Sequence, residues 1–113
     1  MTDVEVRILP EVEDFLDTLP YVLLQEGYKS NLEYAEKYVD DILDFISTLP
    51  HMPHHTVSSE FAYHFLRYGQ NLRYAFFRRK NSKTTWYVFF ERKDNLLLVK
   101  HITNNWQEGH YIR

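Results

Sequence analysis

The chain has 113 residues, no cysteine and three glycines, with 13 Lys+Arg against 16 Asp+Glu for a net charge of −3. This length suits one domain that buries its own core. The lack of cysteine excludes a disulfide framework, a thiolate metal site and a cysteine nucleophile, and fits a reducing, cytoplasmic setting.

From the N-terminus, Val4, Val6 and Ile8 alternate with Asp3, Glu5 and Arg7, which predicts a short half-buried strand. The start of the chain has neither the basic residues nor the apolar run of a signal peptide. Pro10 followed by Glu11, Glu13 and Asp14 opens a helix, with proline suited to the first turn and acids near the positive end of the dipole. Val12, Phe15, Leu16 and Leu19 keep helical spacing. Pro20 should end or kink this helix, and Val22, Leu23 and Leu24 would extend it toward Gly27. Ser30 with Glu33 reads as a capping box for a long helix whose stripe is Ala35, Tyr38, Val39, Ile42, Ile46 and Leu49, closed by Pro50.

Residues 51–70 carry little periodicity and read as a loop or irregular segment. Three strand-like runs follow: Leu72 to Arg79, Thr84 to Arg92 and Leu96 to Thr103, separated by turn residues. They predict an antiparallel meander, and the order β-α-α-β-β-β predicts an α+β fold with two helices packed on one face of a small antiparallel sheet. Trp86, Val88 and Phe90 alternate with Tyr87 and Phe89, so both faces of the middle run are apolar, as in a central strand covered twice. One cover is the helical pair. The other is the chain's own tail, a partner protein or nucleic acid.

Charge is divided unevenly. Through Asn71 there are 4 Lys+Arg against 13 Asp+Glu, a charge of −9; from Leu72 onward there are 9 against 3, a charge of +6. The division fits a surface for a polyanion or an acidic partner, and equally a chain whose helices carry acids while its strand edges carry bases. Arg73, Arg78, Arg79, Lys80, Lys83, Arg92, Lys93 and Lys100, interleaved with Tyr74, Trp86 and Tyr87, form a candidate set for binding single-stranded RNA by phosphate contact and base stacking. Alternation puts Arg73 and Arg79 on one face and Arg78 on the other. His51, His54, His55 and His64 suggest a metal cluster by number alone, but their loop offers no fixed geometry, and no metal or cofactor is expected. His101, placed in step with Val99 and Thr103, is a candidate general base on the sheet. The serines lack the context of a nucleophile elbow.

The run Thr84-Thr85-Trp86-Tyr87-x-Phe89-Phe90, followed by Ile102-x-Asn104-Asn105, resembles the RelE/ParE superfamily of bacterial toxins from type II toxin–antitoxin systems. Thr48-Leu49-Pro50 and Gly69-x-x-Leu72-Arg73-Tyr74 are similar to the same pattern, and the element order extends the likeness over nearly the whole chain. The resemblance implies a cytoplasmic toxin neutralised by a cognate antitoxin and acting on translation by ribosome-dependent cleavage of mRNA. A non-enzymatic binder with the toxin fold, of the gyrase-inhibiting or inactive kind, is the alternative it leaves. It further implies an adjacent His-Tyr pair in the C-terminal run Gly109-His110-Tyr111-Ile112-Arg113 as catalytic groups, with Arg73 as a cation for the developing phosphate charge. The sequence departs from the pattern where an arginine is typical near the start of the Thr84-Thr85 strand, and where Asn104 and Asn105 replace a basic residue.

Overall fold

The computed structural model describes residues 3–27 and 29–112, so that Arg113 lies outside them. In chain order the elements are β1 (Glu5–Ile8), α1 (Pro10–Gln25), α2 (Leu32–Ser47), β2 (His55–Thr56), α3 (Ala62–Phe65), β3 (Arg73–Arg78), β4 (Thr85–Lys93), β5 (Leu96–Asn104) and α4 (Asn105–Glu108). Turns of 3-10 helix add Leu49–His51, Leu66–Tyr68 and Gly109–Tyr111. The fold is α+β: the described residues form four helices and one mixed sheet of five strands in the order β1-β5-β4-β3-β2.

The expected meander forms, with β3, β4 and β5 paired antiparallel in sequence and β4 central. The rest of the expected sheet needs correction. β1 runs parallel to β5, Glu5 opposite Leu96 and Ile8 opposite Val99, so the sheet is mixed. A two-residue strand from the segment read as a loop, β2, also adds to β3. α1 and α2 do share one face of the sheet, while the short α3 lies on the other.

The helix-side core joins Val12, Leu16 and Leu19 of α1 and Tyr38, Val39, Ile42, Phe45 and Ile46 of α2 to Trp86, Val88 and Phe90 of β4. α1 begins at Pro10 as anticipated, but it runs through Pro20 to Gln25. Proline there removes the N–H that would bond the carbonyl four residues earlier, and the buried ring of Pro20 packs instead. α2 starts one residue later than the capping-box reading. Asn31, not Ser30, is its cap, and its Oδ1 accepts from the Tyr34 N–H at 2.9 Å.

The second face of β4 is closed by the chain itself. Phe65 of α3 stacks on Phe89 with ring centroids 4.6 Å apart, and Leu72 and Ile112 complete this smaller core. Asparagines hold the tail at the β4–β5 junction. Asn104 caps α4, accepting from the N–H groups of Trp106 and Gln107. Asn105 accepts from the Thr85 N–H at 2.8 Å and donates to the Lys83 carbonyl at 3.2 Å.

Trp86 is 3% exposed, and its Nε1–H donates to the Tyr38 hydroxyl at 2.7 Å across the helix-side core. Tyr38→Phe strands that indole N–H in an apolar setting, and is expected to cost about 1–3 kcal/mol in urea unfolding followed by tryptophan fluorescence. An unchanged midpoint would show that the bond contributes nothing.

Candidate functional site

On the face of the sheet away from α1 and α2, one carboxylate joins two imidazoles. Glu108 accepts from His64 Nε2 at 2.6 Å through one oxygen and from His101 Nε2 at 2.7 Å through the other. The three side chains come from different elements. His64 is in α3, His101 is in β5, and Glu108 ends the single turn of α4 that Asn104 caps.

A β-bulge decides the position of His101. The β4–β5 register shifts between Phe89 and Phe90, so that Phe89 faces His101 and Phe90 faces Val99, leaving Lys100 as the extra residue. Val99 therefore enters the helix-side core, while His101 turns to the opposite face with Phe89. Simple alternation, which put His101 in step with Val99, does not survive the inserted residue. Lys100 forms an ion pair with Glu91 at 3.2 Å.

Aromatic rings fix both imidazoles. His64 stacks on Tyr111 with centroids 3.6 Å apart and planes 8° from parallel, and His101 stacks on Tyr68 at 3.9 Å and 10°. The Arg67 guanidinium lies over the other ring of this series, 4.8 Å from the Tyr68 centroid. When both histidines are neutral, donation from Nε2 to Glu108 makes Nδ1 the basic nitrogen of each ring.

The electrostatics follow from burial and partners. Burial pushes the His101 imidazole below its ordinary 6.5, against the pull of its hydrogen bond to Glu108. Burial works to raise the Glu108 carboxyl, but the hydrogen bonds from His101 and His64 outweigh it and hold the group below 4.5. The array thus keeps an ionised carboxylate beside a neutral His101. The side chain of His64 is the more open of the two imidazoles, 28% exposed against 17% for His101. His64 also lines an open concavity of about 720 Å³ with Glu60, Phe61, Tyr63, Leu66, Arg67 and Tyr111.

The other anticipated residues are dispersed. Tyr111 is in the array and His110 is its exposed neighbour, with ring centroids 3.9 Å apart. Arg73 is exposed and stands in step with Ala75 and Phe77 on the helix-facing side of β3, so it does not join His101 and Tyr111. Arg78 and Arg79 diverge as alternation requires. Arg78 donates to Thr85 Oγ1 at 2.9 and 2.7 Å, and Arg79 pairs with Asp41 at 2.9 Å. Asp41 is held below the usual carboxylate range, chiefly by its hydrogen bond from Lys37. Lys80 and Lys83 are exposed at one end of β4, and Arg92 and Lys93 at the other. Nine residues of strand separate these ends by roughly 25 Å, so the basic set is not one patch. Trp86, proposed above as a stacking residue, is buried in the core and has no free face for a base.

The histidine group also separates. His54 bonds the Leu49 carbonyl at 2.7 Å, His55 lies beside Tyr74 and Phe76, and His51 is exposed. Among the described residues no group of three or more histidine or acidic side chains is arranged to hold a metal ion. None of the described helices is long and apolar enough to cross a membrane. Glu108 had no role in the sequence reading. It lies 44 residues from His64, and its only local signal is an asparagine cap that turns the chain back toward β5. No protein-family model matches the chain, and no curated protein or solved structure matches it either.

Acid should loosen this face in two stages. The unfolded chain takes a proton on His101 near 6.5 and the folded chain only below that, so its contribution is complete above 6.5 and is lost as pH falls through that window. The Glu108 contribution is present above 4.5 and is lost as pH falls through its lower folded value. In Glu108→Gln the second stage should disappear, and NMR titration should find the His101 midpoint lower still. A His101 midpoint that rises in this variant contradicts the assigned coupling.

Proposed function

We propose that the chain is the toxin of a type II toxin–antitoxin pair and inhibits translation by cleaving mRNA on the ribosome, with a cognate antitoxin as its partner. The observation that carries this reading is the His64–Glu108–His101 array beside an open concavity. Cleavage of an RNA strand by its own 2′-hydroxyl needs a base for that proton, a cation for the charge growing on the non-bridging phosphate oxygens, and an acid for the departing 5′-oxygen. In this reading His64 is the base: its Nε2–H is held by Glu108, and the imidazolium formed at Nδ1 is stabilised by the same carboxylate. His101, more buried, is a positioning residue that fixes Glu108. Tyr111, which lines the concavity, and His110, its exposed neighbour, are the candidates for the acid. The products are a 2′,3′-cyclic phosphate and a 5′-hydroxyl, and the base and acid exchange one proton each.

A second reading is a non-enzymatic binder on the same fold. It is favoured by the edge of β3, which β2 pairs only at Arg73 and Tyr74, leaving Ala75–Arg78 open beside Phe76, 51% exposed. Such an edge can take an added strand.

Addition of the protein to a reconstituted translation reaction, with mRNA 5′ ends mapped by primer extension, separates the two. The enzymatic reading expects cuts only when ribosomes are present, and a loss of about 10²–10⁴-fold in His64→Ala. Intact mRNA at saturating protein leaves the binder. Cleavage that persists undiminished in His64→Ala removes that residue as the base.

A further inference from the structure

We propose that the concavity between the Glu60–Arg67 segment and Tyr111 binds one nucleotide of single-stranded RNA, with Arg67 on its phosphate and Tyr63 against its base. Tyr63 is 88% exposed and forms the wall of this concavity with Leu66, 47% exposed, one helical turn on. An aromatic ring left in water beside an apolar neighbour offers a face on which any base can stack. Arg67 lines the same wall. Unlike Arg7 and Arg79, which are paired with Glu5 and Asp41, Arg67 has no carboxylate within 4.0 Å among the described residues. It lies over the Tyr68 ring, a contact that uses the face of the guanidinium and leaves its edge to donate to an anion. The volume, about 720 Å³, lies within the range of small-ligand sites.

The three features match the three parts of a ribonucleotide. A π-face meets the base, an uncommitted cation meets the phosphate, and His64, which lines the same concavity, meets the sugar hydroxyl. Glu60 at the rim argues against a uniformly anionic occupant and suits a base, whose amino groups donate to a carboxylate. This assignment rests on the reading of the site as RNA-cleaving, and binding is therefore measured apart from cleavage.

The probe is a short single-stranded oligoribonucleotide with 2′-O-methyl sugars throughout, which binds but has no hydroxyl to attack. Its affinity is followed by fluorescence anisotropy over a range of salt. Tyr63→Ala is expected to weaken binding about 5- to 150-fold, with Tyr63→Phe restoring it. Arg67→Ala is expected to lower the slope of log K against log salt by about 0.7, the share of one phosphate contact on a single strand. Arg7→Ala, whose guanidinium is paired with Glu5 and does not line the concavity, should change neither. Equal binding by all four variants, or no binding by the wild type, overturns the site. Binding that depends on Tyr63 and Arg67 without any ribosomal cleavage keeps the site and removes the endonuclease reading. Cleavage in the absence of that dependence does the reverse.

Discussion

Burial of β4 on both faces is the constraint from which the rest of the molecule follows. A strand carrying Trp86, Val88 and Phe90 on one side and Phe89 on the other cannot be satisfied by a two-layer fold with one side in water. The long helices account for the first side. The second must be closed by whatever chain remains, and that is the segment before β3 together with the segment after β5. These two segments carry His64 and Glu108, so the demand for a second apolar cover is what brings the acid and the bases together.

The ladder between β4 and β5 is adjusted to the same end. Without the extra residue at Lys100, His101 would follow Val99 toward the helices and an imidazole would enter an apolar core. The bulge moves it across, and Lys100 finds Glu91 on the neighbouring strand. Glu91 is itself confined: its carboxylate accepts from the Asn71 N–H, and a Cβ at Gly69 would fall 2.7 Å from its Cδ. Gly69 is in this sense part of the bulge, although it is distant from it in sequence.

Much of the architecture was legible, and the reason is periodicity. The α2 stripe from Ala35 to Ile46 and the alternation in β4 are repeated signals that many residues support at once. The pairing at the sheet edges was not legible, although β1 itself was. β2 has two residues and exists only because β3 offers it an open edge, and the partner of β1 depends on a crossover that periodicity does not encode. α1 was extended through Pro20 because packing outweighs one lost backbone bond. At the site, His101, Tyr111 and His110 were visible as chemistry-bearing residues near the tail, whereas the bridging carboxylate was hidden by a separation of 44 residues from His64. Individual side chains of the right type also misled. Trp86 looks like a stacking platform until its depth in the core is known, and Arg73 belongs to the wrong side of its strand.

The order of the parts along the chain separates the larger core from the array. The helix-side core is complete once Ile102 has been made, since its members all precede that point. Glu108, and the Tyr111 ring that seats His64, come later. A chain cut short after Ile102 therefore keeps every member of its larger core but lacks the carboxylate between its two imidazoles. Truncation before Glu108 would thus dismantle the histidine–carboxylate array and spare the residues of the helix-side core.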